Sequence, residues 1–317
     1  MAAKKKPKRK ARKASKSNAG KSNAGKRKGK ASSGPKPPWG LLGAGVALLA
    51  VGGVFAFADR SDADGSDPAE EEIVTVEPPQ RSPVTTIPEA LTVRVVTRHA
   101  HDPEAFTQGL LWHDGHFFES TGLEGRSSLR RVAPNGEVAQ RVDVPSRYFA
   151  EGLARVGDEL FQLTWQEHRA FVYDLETFEK KREFEYRGQG WGLCWDGTHL
   201  VMSNGSPTLR FRDPETFEVQ REVEVTKIGR PVRNLNELEC VDGVVYANVW
   251  QRDEIVRIDP ATGRVTATID ASGLLTRDER RGTDVLNGIA WLPDSQRFAI
   301  TGKLWPWVFE VEFVPRE

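Results

Sequence analysis

One unit of sequence is written five times between residues 106 and 303. Each copy has a short polar, mostly Gly-containing opening, an apolar run, a turn, and a second apolar run ending on a polar or aromatic residue. The openings are Thr107-Gln108-Gly109-Leu110, Ala150-Glu151-Gly152-Leu153, Gly190-Trp191-Gly192-Leu193, Leu235-Asn236-Glu237-Leu238 and Leu286-Asn287-Gly288-Ile289. Turns follow at Asp114-Gly115, Gly157-Asp158, Asp196-Gly197, Asp242-Gly243 and, more loosely, Pro293-Asp294. The openings are spaced 43, 40, 45 and 51 residues apart, the period of a four-stranded propeller blade rather than of a short helical repeat. In such a ring the same position of every repeat converges on one axis.

The apolar runs are short, rich in Val, Phe, Tyr and Trp, and punctuated by Gly, Asp and Pro, as strands are. Nothing after residue 90 has helical periodicity, so the fold class expected is all-β, a five-bladed β-propeller. Matching turns recur at Asp174-Leu-Glu-Thr-Phe178, Asp213-Pro-Glu-Thr-Phe217 and Asp259-Pro-Ala-Thr-Gly263, where Asp accepts backbone hydrogen bonds. The last repeat ends soon after its third strand, and Leu91 to Arg98 has no partner in its own unit. That segment is expected to supply the fourth strand of the last blade and close the ring.

The formal charge of zero hides a polarised layout. Residues 1–38 hold fifteen Lys or Arg and no acid, leaving thirty basic against forty-five acidic residues beyond them. This low-complexity tail lacks the apolar residues for a core and reads as disordered. Residues 39–58 are uncharged and about as long as a bilayer core requires, so they read as a transmembrane anchor or uncleaved signal. Cleavage after Ala58 stays open. The basic flank predicts a single-pass cytoplasmic-membrane protein with its N-terminus inside and residues 91–317 periplasmic or extracellular. The tail is expected to contact anionic lipid rather than nucleic acid. Residues 59–90, rich in Asp, Glu, Pro and Ser, form an extended linker. Cys194 and Cys240 occupy similar places in neighbouring repeats and are expected as two buried thiols.

The residue before each recurrent Gly-Leu step should stand at one mouth of the ring: Gln108, Glu151, Trp191, Asn236 and Asn287. The ends of the second strands, Thr121, Trp165, Asn204, Trp250 and Lys303, should join them there. A concave aromatic site with a few convergent polar groups suits a small molecule. Any one Trp of Trp165, Trp191 and Trp250 could be inner-strand packing. Glu151 and Lys303 are costly in apolar strands, and two opposite charges at one level favour a site. Other constellations fail. His99, His101, His113 and His116 lack further ligands for zinc and read as solvated loop residues. There is no Gly-x-Ser-x-Gly elbow, and Gly20-Lys21-Ser22 lacks the upstream glycine of a phosphate loop.

Several strings together resemble one family. They are Phe106-Thr-Gln-Gly-Leu110, Phe149-Ala-Glu-Gly-Leu153, Gly190-Trp-Gly-Leu193, Ser203-Asn-Gly-Ser206, Leu235-Asn-Glu-Leu-Glu239, Asn248-Val-Trp250, Ile258-Asp-Pro260, Leu286-Asn-Gly-Ile-Ala-Trp291 and Thr301-Gly-Lys-Leu-Trp-Pro306. As an ordered set over roughly 95–313 they are similar to glutaminyl-peptide cyclotransferases of the plant and bacterial type. The resemblance implies a five-bladed propeller that converts N-terminal glutamine of peptides or proteins to pyroglutamate with loss of ammonia; a monomer is expected. It also implies neither cofactor nor catalytic metal, with Glu151 as acid/base and Lys303 assisting. Phe106, Gln108, Phe149, Trp165, Trp191, Asn236 and Trp250 would bind substrate. A non-catalytic propeller binding a peptide or sugar in the same cup is the alternative from the residues alone. It would need the tryptophans but not Glu151.

Overall fold

The computed structural model describes residues 86–317, and they are all-β. The tail, the uncharged span at 39–58 and nearly all of the acidic linker lie outside the described residues. Among those described, no helix is long and apolar enough to cross a membrane.

Strand β1 (Glu89–Ala100) precedes five successive meanders. The first is β2 (Thr107–His113), β3 (His116–Thr121), β4 (Ser128–Val132) and β5 (Val138–Asp143). The second is β6 (Ala150–Val156), β7 (Glu159–Thr164), β8 (Arg169–Asp174) and β9 (Lys180–Glu185). The third is β10 (Leu193–Trp195), β11 (Leu200–Met202), β12 (Thr208–Arg212) and β13 (Val219–Glu224). A small hairpin, β14 (Thr226–Lys227) and β15 (Arg230–Pro231), leads to β16 (Leu235–Val241), β17 (Val244–Val249), β18 (Glu254–Ile258) and β19 (Val265–Asp270). The last meander is β20 (Leu286–Leu292), β21 (Arg297–Gly302) and β22 (Trp307–Pro315), and it has only three strands of its own.

β1 completes that last sheet. It runs antiparallel to β22 from Leu91↔Pro315 to Ala100↔Trp307, as the incomplete fifth repeat predicts. It also pairs in parallel with β19, from Glu89↔Ala267 to Thr92↔Asp270, so one strand fastens the fourth sheet to the fifth. The apolar layers lie between sheets. Phe118 and Leu129 meet Leu153 and Phe171; Phe161 and Leu163 meet Leu193 and Leu200; Val201 and Phe211 meet Leu238 and Val256. Ile255 and Ile269 meet Ile289 and Phe309, and Ala290 and Ala299 return to Leu110 and Phe117. First strands are therefore covered on both faces. The fourth strands β5, β9 and β13 are half-exposed and rich in charged residues.

The recurrent turns behave as their sequences require. Asp174 Oδ1 accepts from the backbone N–H groups of Glu176 and Thr177, and Asp213 Oδ1 from those of Glu215 and Thr216. In the third copy the left-handed residue is Gly263 (φ 71°), and a Cβ there would lie 2.0 Å from Glu224 O. Only glycine fits that approach.

The two cysteines correct the expectation of free thiols. Cys194 and Cys240 form a disulfide, with their Cα atoms 5.5 Å apart. Cys194 follows Leu193 directly, whereas Cys240 stands two residues beyond the equivalent Leu238. In a strand, one residue of offset turns a side chain to the opposite face. Each cysteine thus faces the neighbouring first strand, and their similar placement favours pairing.

Candidate active site

Most of the ring-mouth residues sit where the ladder is broken. The β2–β3, β6–β7, β16–β17 and β20–β21 pairings all shift register directly after their first pair: Thr107↔Thr121, Ala150↔Thr164, Leu235↔Val249 and Leu286↔Gly302. Gln108, Glu151, Asn236 and Asn287 occupy these bulges, a device that re-aims a side chain from the sheet. Trp191 lies just before β10, with its N–H donating to Ser203 O. Antiparallel pairing brings the ends of the second strands to the same mouth, which is why Trp165, Trp250 and Lys303 are there too.

Recurrent glycines let these strands converge. A Cβ at Gly109, Gly152 or Gly192 would lie 2.5, 2.6 or 2.0 Å from the backbone of the next first strand. The fourth repeat has Glu237 at this position, and its carboxylate spans the enclosed space. Oε1 accepts from Leu110 N at 3.2 Å and Oε2 from Ile289 N at 2.8 Å. Burial, with Glu239 nearby, raises the Glu237 pKa well above the usual carboxylate range. The repeat openings point to one ring carboxylate, Glu151, and Glu237 is a second. The signal was Glu in place of a repeated Gly.

An aromatic arc lines the mouth. Lys303 Nζ lies 4.8 Å from the Phe106 ring centroid; Phe106 packs edge-on against Phe149 at 6.1 Å, and Phe149 against Trp165 at 5.8 Å. Gln189 then joins Trp165 to Trp191, which packs edge-on against Trp250 at 5.6 Å. Trp165, Trp191, Trp250 and Phe106 are half-buried, so each ring keeps open surface.

Glu151 and Lys303 are each only 5 % exposed. Among the described residues neither side chain has an ion-pair or hydrogen-bond partner. Burial pushes the Glu151 carboxyl well above its ordinary range, and Lys303 partly counters this. Burial likewise lowers the Lys303 ammonium, opposed by Glu151. Two electrically coupled but unpaired charges in a buried site are costly, and functional sites are where such arrangements concentrate.

The polar neighbours have fixed orientations. Asn287 Nδ2 donates to Thr107 O at 3.0 Å and to Gln108 Oε1 at 3.2 Å, leaving the Gln108 NH2 group as its free donor. Asn287 therefore orients Gln108 rather than facing substrate. The Asn236 side-chain amide has no hydrogen bond within the described protein. Thr121 is bonded to Ser128, and the Asn204 side-chain oxygen accepts from Ser206, which leaves its NH2 group as a donor at the mouth.

His101 corrects the reading of solvated histidines. It is buried, with Nδ1 2.6 Å from Trp305 O and Nε2 3.0 Å from Glu119 Oε1. Both partners are acceptors, so both ring nitrogens carry protons. Burial alone would lower its pKa, but the Glu119 carboxylate raises it above the ordinary value. Thr107 Oγ1 and Arg130 also donate to Glu119, and Arg130 pairs with Asp102 at 2.7 Å. This cluster fastens the segment carrying Phe106 and Gln108 to the turn carrying Lys303, alongside the Leu304 N to Ala105 O bond of 2.7 Å. Among the described residues no group of three or more His, Cys, Asp or Glu could hold a metal ion.

A family model of glutamine cyclotransferase matches residues 71–313. The chain is 45% identical over 226 residues to glutaminyl-peptide cyclotransferase of Arabidopsis thaliana, covering 69% of this chain and 71% of that one. The crystal structure of glutaminyl cyclase from Myxococcus xanthus is similar with a TM-score of 0.67 at 40% identity. That match covers 73% of this chain and 100% of the Myxococcus chain.

Proposed function

The chain belongs to the glutamine cyclotransferase family, and from that premise we propose that Glu151 and Lys303, framed by the aromatic arc, carry out its reaction. It is a glutaminyl-peptide cyclotransferase: the α-amine of an N-terminal glutamine attacks its own γ-carboxamide carbon, giving a pyroglutamyl peptide and ammonia. Nucleophile and electrophile share one residue, so no enzyme nucleophile is required and holding the folded-back side chain supplies much of the acceleration. Flat faces of Trp165, Trp191, Trp250, Phe106 and Phe149 suit that task.

A substrate α-ammonium has a pKa of about 8, and it attacks only as the free amine. Glu151, its pKa raised by burial, takes a proton from the amine as the C–N bond forms. It then delivers the proton to the departing NH2 group, which leaves as ammonia. The Lys303 ammonium faces the charge that develops on the carboxamide oxygen. The Gln108 NH2 group and the Asn236 amide are free to bind the substrate's amide and main chain. The single observation supporting this division of labour is the pair of buried opposite charges with no direct partner.

The sheet order and the closing layer support a five-bladed propeller. The charge layout supports an anchor at residues 39–58 with the catalytic domain on the outer side of the membrane.

Replacing Glu151 by Gln keeps the shape and removes the shuttle. Ammonia release from a glutaminyl peptide is expected to fall by about 10²- to 10⁴-fold, the usual worth of a general acid/base. The folded-state pKa is raised, so ionising Glu151 above its unfolded value of 4.5 costs stability. The amide removes that cost, and the thermal midpoint at neutral pH should hold or rise. Unchanged turnover would remove Glu151 from the mechanism.

A further inference from the structure

Trp165 and Trp191 come from different sheets, yet one side-chain oxygen holds both. Gln189, in the connection between β9 and β10, accepts from Trp165 Nε1 at 2.9 Å and from Trp191 Nε1 at 3.0 Å. A carbonyl oxygen has two lone pairs and an indole nitrogen can only donate, so both lone pairs are used and the amide orientation is fixed. The connection is itself fastened on both sides. Tyr186 OH donates to Thr164 O, Gly190 N donates to Trp165 O at 3.1 Å, and Trp191 N donates to Ser203 O at 3.1 Å. A Cβ at Gly205 would lie 2.6 Å from the Trp191 ring, so that ring already rests against backbone on one side.

We propose that Gln189 is a positioning residue of the cyclisation site, presetting the two indoles as one clamp so that substrate need not order them. The proposal rests on reading Trp165 and Trp191 as substrate-holding. Without the shared acceptor, two half-buried rings from separate sheets lose their common reference, and binding must fix each. Ordering two side chains on binding corresponds to roughly a tenfold weakening.

The test uses Q189M, which keeps length but replaces the carbonyl oxygen by a single weakly accepting sulfur, and Q189E, whose carboxylate keeps oxygens for both indoles. Q189M should raise KM for a glutaminyl peptide roughly tenfold with kcat and thermal midpoint near the parent. Its near-UV circular dichroism should lose indole intensity, and Q189E should recover that signal. In a W165F background, Q189M should cost less than in the parent, because one of its two clients is gone. Normal KM in Q189M while W165F and W191F are impaired overturns the role of Gln189 and leaves the clamp standing. Normal kinetics in W165F and W191F overturns the clamp reading and the proposal with it. Fully additive effects of Q189M and W165F also overturn it, as does loss of indole signal in Q189E.

Discussion

Removing the Cys194–Cys240 bridge should lower stability by a calculable amount while leaving the chemistry intact. The bridge joins residues 46 apart in sequence, on the first strands of the third and fourth sheets. Closing a loop of that length in the unfolded chain corresponds to about 4 kcal/mol in the chain-entropy treatment. For a domain of this size each kcal/mol moves the thermal midpoint by about 2–4 °C, so the bridge is worth roughly 8–16 °C. The perturbation is Cys194→Ala with Cys240→Ala, compared by scanning calorimetry with the parent under oxidising and reducing conditions. Variant and reduced parent should melt together, well below the oxidised parent. Neither cysteine contacts Glu151 or Lys303, so turnover at ambient temperature should persist in both. If the double variant and the reduced parent melt within about 2 °C of the oxidised protein, the covalent constraint contributes little and the reasoning from loop length fails.

Glu119→Gln should lower stability by about 3–5 kcal/mol, because it leaves Arg130 and the His101 imidazolium buried with their shared carboxylate gone; urea denaturation measures it. The His101 pKa is raised in the folded state, so its contribution is complete below the unfolded 6.5 and is lost as pH rises through the folded value. The Glu119 pKa is depressed, so its contribution is lost only as pH falls below the unfolded 4.5, and a stability profile of parent against variant shows both edges. A chain beginning at Ile87 should fold and turn over substrate. One beginning at His99 loses most of β1, exposes β22 and uncouples it from β19, and should melt much lower or aggregate; equal melting of the two would argue against closure by β1.

The repeat openings carried most of the fold in plain view. Their spacing located five strand sets, and the missing fourth strand of the last set pointed to Leu91–Arg98. The convergence of the candidate residues was legible because antiparallel strands share ends, which brings a residue before Gly-Leu and one about fourteen positions later together. What stayed hidden depended on direction rather than on residue type. The bulges at Gln108, Glu151, Asn236 and Asn287 are register shifts without a composition of their own. The disulfide turned on the one-residue offset between Cys194 and Cys240, which reverses the face. The His101 cluster is assembled from Asp102, Glu119, Arg130 and Trp305 across separate elements, so no local spacing announces it. The parallel pairing of β1 with β19 likewise joins segments 178 residues apart at Thr92 and Asp270, with no sequence sign. Gln189, a lone loop glutamine, has no pattern in the sequence until its two indole partners are in place.

In the proposed mechanism Glu151 moves the proton, and Lys303 both meets the developing oxyanion and holds the Glu151 pKa down; the pH dependence of kcat/KM in the parent and in Lys303→Met tests this most directly. Glu151 acts as a base only when ionised. Its raised pKa therefore puts an acid limb above the ordinary 4.5, and the lowered Lys303 pKa puts an alkaline limb below the ordinary 10.5. Lys303 holds the Glu151 value down, so removing its ammonium should move the Glu151 limb to higher pH and abolish the Lys303 limb. Titration of the substrate amine is the same in both proteins and cannot produce that displacement. A displaced acid limb at reduced rate is the predicted result. Superimposable profiles for the two proteins, differing only in height, would contradict it.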